Sequence, residues 1–332
     1  MKKPYIIAEI GINYQGKISL LKKMILSAKK AGADAVKFQL FEAKTLGNIA
    51  SKKKYFFLSK DKKETLYQSW KRFELSNEKI KTIEKLAKKN KIDLIFSIFD
   101  FKSLQKVKKL KLKYIKIASS DVTDLVLLKE ISKSKKPIIL STGMSNQREI
   151  KEALNTLEKN KVILLHCVSI YPCELKKINL NRMKTLSKVF KKEVGFSDHT
   201  KGIEASILAI NQGAIYIEKH FTLNKKLLGP DHILSADETD LKYICSYAKN
   251  YKIMLGTGKI SPNKDELKIK KIANKSIYLK KDVKKNQKLN INDIDIRRPA
   301  GFFFPKDLFK IVGKKLVKDL KIGTNLTKNH FI

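Results

Sequence analysis

The sequence predicts a (β/α)8 barrel of the TIM type followed by a small β-rich module, on three observations. Short apolar, β-branched runs recur along the first two thirds of the chain, stretches with apolar residues at i, i+3 and i+4 separate them, and the texture changes after residue 275. Strand–helix alternation implies right-handed βαβ units on a parallel sheet. Eight such units in about 255 residues match the size of a closed barrel. A doubly wound open sheet is the competing architecture, but no G-x-G-x-x-G turn follows the first run.

The eight runs are 5–13, 35–41, 93–99, 114–120, 137–143, 162–169, 193–199 and 214–222. Helical patterns such as SLLKKMILSAKKAG and SNEKIKTIEKLAKKN lie between them, the second opening on a capping-type Ser76 with Glu78 close behind. The expected barrel covers 1–260, a polar, lysine-rich and flexible connector covers 261–275, and the small module, with short strands and little helix, covers 276–332. The module is expected to have little core of its own and to dock on something.

Composition narrows the function. With 332 residues and 42% hydrophobic content the chain can bury a full core. It has no run of about 18 apolar residues, so no membrane span is expected. The opening MKKPYIIAEIGIN mimics a signal peptide, but Glu9 interrupts it and no cleavage-type site follows. Three cysteines at unrelated spacings fit a reducing cytoplasm better than a disulfide framework. The net charge of +40 invites a nucleic-acid reading. Against it, the lysines are spread over every expected helix and arginine, the usual base reader, is scarce.

The chemistry of such a barrel sits at the C-terminal ends of its strands. In GFSDHT, Ser197 and His199 share one strand face; in EKHFT, Glu218 and His220 do the same. Histidines at matching ends of neighbouring strands can meet above the barrel and hold a divalent metal such as manganese, iron or zinc. Glu9 stands in an otherwise apolar first run, Lys37 and Gln39 share a face of the second, and Lys116 and Ser119 mark the fourth. Ser97 ends the third run and Ser169 the sixth. Two lysines in a barrel mouth require an anion, because an unpaired buried charge costs several kcal/mol. A small phosphorylated carboxylate would satisfy both lysines and the hydroxyls; pairing with Glu9 or Glu218 is the alternative.

The motifs IIAEIGINYQG, GADAVKFQ, YIKIASSD, KPIILSTGM, LLHCVSIYP, GFSDHT, EKHFT and GPDH, in this order, resemble the N-acetylneuraminate (sialic acid) synthase family, including legionaminic and pseudaminic acid synthases. The resemblance extends to a C-terminal antifreeze-like (SAF) module. It implies condensation of phosphoenolpyruvate with an N-acylated hexosamine, either N-acetylmannosamine or a 2,4-diacetamido-2,4,6-trideoxyhexose, to a nine-carbon 2-keto sugar acid with release of phosphate, in the service of surface polysaccharide. It further implies that His199 and His220 hold the metal, normally manganese or magnesium. Lys37, Gln39, Ser97, Lys116, Ser119, Ser169 and Ser197 would receive phosphoenolpyruvate. Glu9, Asp121, Tyr171 and Asp231 would line the sugar side, with Glu9 or Asp231 assisting proton transfers. Arg298 would reach the N-acyl group from the partner chain of a domain-swapped homodimer. Departures from the family pattern, among them Tyr14 for histidine, Asp121 for glutamate and Ser169 for asparagine, bear on the sugar more than on the reaction. Another phosphoenolpyruvate-dependent sugar-acid synthase on the same barrel, or a basic polymer-binding protein on an inactive one, are the alternatives.

Overall fold

The structure, a computed structural model, describes residues 3–47 and 65–332. Eight strands, β1 (Tyr5–Glu9), β2 (Ala35–Leu40), β3 (Asp93–Ile98), β4 (Tyr114–Ile117), β5 (Ile138–Ser141), β6 (Val162–His166), β7 (Glu193–Asp198) and β8 (Tyr216–His220), form a closed parallel barrel in chain order. Closure is made by β8 pairing with β1, from Tyr216 opposite Tyr5 to His220 opposite Glu9. The expected barrel is therefore the fold, and every expected run contains its strand.

The strands stop short of the runs' C-terminal ends because the chain leaves the ladder there. After Glu9 the amides of Ile10 and Gly11 both donate to the Lys37 carbonyl, and Gly11 turns with φ 51°, a left-handed conformation that glycine adopts without cost. Ser169, expected to end the sixth strand, lies three positions beyond β6, which ends at His166. The expected helices form at Ile18–Ala31 and Asn77–Lys89. In the second, the Ser76 side chain accepts from the Lys79 amide and Ile80, Ile83 and Ala87 face inward. No helix among the described residues is long and apolar enough to cross a membrane.

Alternation along the strands sorts the barrel interior into layers. Tyr5, Tyr114 and Tyr216 pack across its N-terminal end, with ring centroids 5.4–5.8 Å apart and the Tyr114 and Tyr216 hydroxyls hydrogen-bonded. Ile7, Ala35, Ile95, Ile139, Ile163 and Leu165 fill the middle. One step further along the same strands the side chains become Glu9, Lys37, Ser97, Lys116, Ser141, Cys167, Ser197 and Glu218. The outward-facing residues, such as Ile6, Ala8, Val36, Phe38 and Phe196, belong to a separate core beneath the helices. The inner layer is thus an apolar floor under a charged mouth.

The chain divides into two compact units, Met1–Gly256 and Thr257–Ile332. The second contains an antiparallel pair, β9 (Ser276–Leu279) and β10 (Ile294–Arg297). It has its own small core of Ile277, Leu279, Val283, Leu289, Ile311, Leu316, Leu320 and Leu326. Most of the stretch expected as a flexible connector is helical, Lys264–Ala273. An Asn263–Glu266 capping box starts that helix, a signal that lysine content masks in the sequence.

Gly195 supplies a test of the interior packing. A β-carbon there would press into the Tyr216 carbonyl oxygen and lie 2.7 Å from Leu165 Cδ2. Gly195→Val should destabilise the protein by about 1–3 kcal/mol as an overpacking change, measured by urea unfolding. Unchanged stability would show that the barrel interior is looser than these contacts indicate.

Candidate active site

The mouth is built on register. Glu9 lies beside Lys37 on one neighbouring strand and beside His220 on the other; Gln39 lies beside Ser97, Ser97 beside Lys116 and Ser197 beside Glu218. Ten of the expected site residues, Glu9, Lys37, Gln39, Ser97, Lys116, Ser119, Tyr171, Ser197, His199 and His220, line one pocket.

The two lysines differ in their partners. Lys37 lies 2.8 Å from a Glu9 oxygen and 3.6 Å from Glu218 Oε1, and donates to Ser97 Oγ at 2.9 Å. The alternative weighed for the lysines therefore holds for this one: it is paired within the protein. Burial favours the neutral amine, but Glu218 and Glu9 outweigh it and raise the Lys37 pKa above its usual value. Lys116 instead donates to Ser141 Oγ at 2.7 Å and to the Ile117 carbonyl at 3.1 Å, both neutral acceptors. Burial lowers its pKa, with Glu218 acting in opposition. An anion arriving beside Lys116 would meet a cation whose hydrogen bonds are made to dipoles only.

The carboxylates respond to the same balance. Burial pushes Glu9 up, with Lys37 opposing and Glu218 adding to the rise. For Glu218 burial acts upward too, but Lys116, Lys37 and the Ser197 hydroxyl together hold it below its usual value. Ser197 Oγ donates to Glu218 Oε1 at 2.9 Å and lies 3.4 Å from His199 Nε2.

His199 and His220 face each other with ring centroids 5.5 Å apart, and the Tyr171 ring lies 4.2 Å from that of His199. The Val168 carbonyl takes a hydrogen bond from His199 Nδ1 at 2.7 Å, which leaves Nε2 as the lone-pair nitrogen. Burial lowers His199 to about 4 and His220 well below its usual value, so both imidazoles are neutral at pH 7. His220 Nδ1 and Glu218 Oε2 are buried without a hydrogen-bond partner among the described residues. Neutral imidazoles beside unsatisfied acceptors fit a divalent cation. Among the described residues no three His, Cys, Asp or Glu side chains converge to hold one, so water or substrate oxygens would complete its coordination.

Asp231 reaches this centre from the loop after β8, with Oδ2 3.5 Å from His220 Nδ1, and burial pushes it up to about 6. Ser169 borders the pocket at Gly143, where a β-carbon would collide with its hydroxyl and lie 2.9 Å from Ser119 Oγ and Cys167 Sγ. Asp121, pushed up to about 6 by burial, closes the short turn Ser119–Asp121. Arg298 is exposed in the second unit. Tyr14 turns its hydroxyl to the Phe73 carbonyl and is buried as a wall. Ser141, Cys167 and Gly143 were not anticipated, and Glu218 was expected as a lysine partner but not as the acceptor of the Ser197 hydroxyl. Strand parity with Lys116 and Ser97 was the available signal.

A closed parallel barrel whose charged mouth pairs two neutral histidines with an anion-ready lysine defines an enzyme, and comparison with known proteins sharpens the class to sugar-acid synthases. Residues 24–260 match the NeuB family and residues 274–332 the SAF domain. The chain is 40% identical to an N,N'-diacetyllegionaminic acid synthase of Campylobacter jejuni, over 97% of this chain and 98% of that protein. It is 36% identical to one of Legionella pneumophila, over 98% and 94%. A crystal structure of an N-acetylneuraminic acid synthetase from Leptospira borgpetersenii superposes with a TM-score of 0.70 at 31% identity, covering 81% of this chain and 90% of that one. The chain belongs to the NeuB family.

The buried histidines give the site an acid signature. The folded value of His199, about 4, lies below its free value of 6.5, so the unfolded chain takes up the proton first as pH falls. Stability present above the free value is lost as pH drops toward the folded one, by about 2 kcal/mol between pH 7 and pH 5. Urea unfolding should show this loss, and His199→Gln should flatten it by a similar amount. An equally steep profile in the variant would mean that other groups dominate.

Proposed function

We propose that the chain joins phosphoenolpyruvate to a 2,4-diacetamido-2,4,6-trideoxyhexose, forming N,N'-diacetyllegionaminic acid, a nine-carbon 2-keto sugar acid, and phosphate. The observation that carries the reaction is Lys116, a buried cation with neutral hydrogen-bond partners, in one pocket with two neutral histidines. The choice of sugar rests on the relatives at 36–40% identity, named for that product; pseudaminic acid synthases match at 32%. N-acetylmannosamine is the competing acceptor.

In this reading Lys116 and Lys37, with hydroxyls from Ser97, Ser119, Ser169 and Ser197, receive the phosphate and carboxylate. C3 of phosphoenolpyruvate bonds to the aldehyde carbon of the open-chain sugar. Water adds at C2, and phosphate leaves from C2, so that the keto group remains. A divalent cation, manganese first, would be held by His199 and His220 and would supply Lewis-acid polarisation. Glu9 and Asp231, both pushed up by burial, are the carboxyl groups placed to exchange protons with the new hydroxyl and the incoming water. Tyr171 and Asp121 would face the sugar.

The direct test offers phosphoenolpyruvate with each of three sugars, N-acetylmannosamine and the two trideoxy epimers that lead to legionaminic and pseudaminic acid, in manganese and in chelator. Phosphate release should be fastest with the legionaminic precursor and abolished by chelator. Release with N-acetylmannosamine alone would overturn the choice of sugar, and no release with any would overturn the reaction.

Lys116→Met separates the two substrate subsites. The KM for phosphoenolpyruvate should rise about 100-fold, because a buried ligand charge loses its partner, while the KM for the sugar changes far less. Equal changes in both would refute the assignment of the anion pocket.

A further inference from the structure

We infer that Asp198 and Lys219, on the outer face of β7 and β8, are a positioning pair that sets the separation of His199 and His220. The inference rests on the reading that these histidines hold a divalent cation.

Asp198 and Lys219 are direct partners in the β7–β8 ladder, and their side chains lie on the strand face opposite Ser197 and Glu218. Both are 0% exposed and pair at 3.2 Å. The pair holds the backbone beyond the strand. Asp198 Oδ1 accepts from both the amide and the hydroxyl of Thr200, each at 2.8 Å, while Lys219 donates to the Thr200 carbonyl at 2.6 Å. Thr200 follows His199, and Lys219 precedes His220. Two side chains thereby anchor the main chain next to both imidazoles.

His199 needs such an anchor because it lies past the last residue of β7, where the barrel ladder has ended. From the segment after β6 it is restrained by the hydrogen bond to Val168 and by the Cys173 amide on its carbonyl at 2.8 Å. Across to β8, the strand that carries His220, the ion pair acts on the outer face while the hydrogen bond from Ser197 to Glu218 acts on the inner one. Ser206, on the helix Glu204–Asn211, completes the arrangement by donating to Asp198 Oδ2 at 2.6 Å. Stability alone does not call for a buried ion pair, since apolar replacements of similar volume are often as stable or more so. Directional hydrogen bonds fix one arrangement of the two strand ends, which apolar contacts would not do.

The test measures manganese binding to the full-length protein by titration calorimetry and by the paramagnetic resonance spectrum of bound Mn2+. The double variant Asp198→Asn/Lys219→Met removes the pair without stranding a charge, and Ser206→Ala loosens it mildly. Wild type should bind Mn2+ and His199→Ala should not. The double variant should bind at least about tenfold more weakly with an altered spectrum, as loss of supporting contacts around metal ligands does, and Ser206→Ala about threefold more weakly. At saturating Mn2+ the KM for phosphoenolpyruvate should stay within about twofold of wild type, since the anion pocket is untouched. A folded double variant with wild-type affinity and spectrum overturns the inference while leaving the cation site standing. If the double variant does not fold, unchanged affinity in Ser206→Ala overturns it. Failure of wild type to bind, or undiminished binding by His199→Ala, removes the cation reading and the inference with it.

Discussion

A lysine ammonium held between two carboxylates organises the mouth of this barrel. Placing Lys37, Glu9 and Glu218 out of water costs several kcal/mol per ion, and close mutual contact offsets that cost. The rest of the site follows from this arrangement. Glu218, kept ionised by the lysines, accepts the Ser197 hydroxyl, which in turn faces the lone-pair nitrogen of His199. Glu9 satisfies Lys37, which opposes the rise that burial imposes on its carboxyl. With the protein's own carboxylates drawn toward Lys37, Lys116 is left to neutral partners and open to an external anion.

Most of the fold was legible because a barrel repeats one simple signal. Each strand is a compact apolar run, each helix a stripe of period 3.6, and eight repeats leave few alternatives. The strand ends were not legible to the residue. Leaving the ladder depends on contacts such as the shared Lys37 carbonyl after Glu9, which join residues far apart in sequence. The helix Lys264–Ala273 was missed for another reason. Six of its ten residues are charged, beside a single leucine and two isoleucines, so its apolar stripe is thin, and none of these residues is buried.

The site was legible where an unlike residue interrupts an apolar run, as Glu9, Lys37 and Lys116 do, and where chemistry marks a strand end, as the two histidines do. It was less legible where ordinary residues gain a role from register. Ser141 in STGM reads as turn punctuation until β4 and β5 pair and place it beside Lys116. Asp198 and Lys219 sit inside the two most informative motifs, yet alternation sends them to the opposite face. Their contact depends on the stagger of strands about twenty residues apart, and a single sequence does not fix that stagger.

The tyrosine layer has a consequence for traffic. Tyr5, Tyr114 and Tyr216 pack across one end of the lumen and aliphatic side chains fill the middle, so the chamber is a cul-de-sac. Two reactants that meet inside it share one doorway, and the later arrival stands between the earlier one and solvent. Such geometry imposes a queue: the molecule seated first departs last, unless chemistry converts it meanwhile. A kinetic scheme with compulsory order would then be a property of the plugged floor as much as of the residues that touch the substrates.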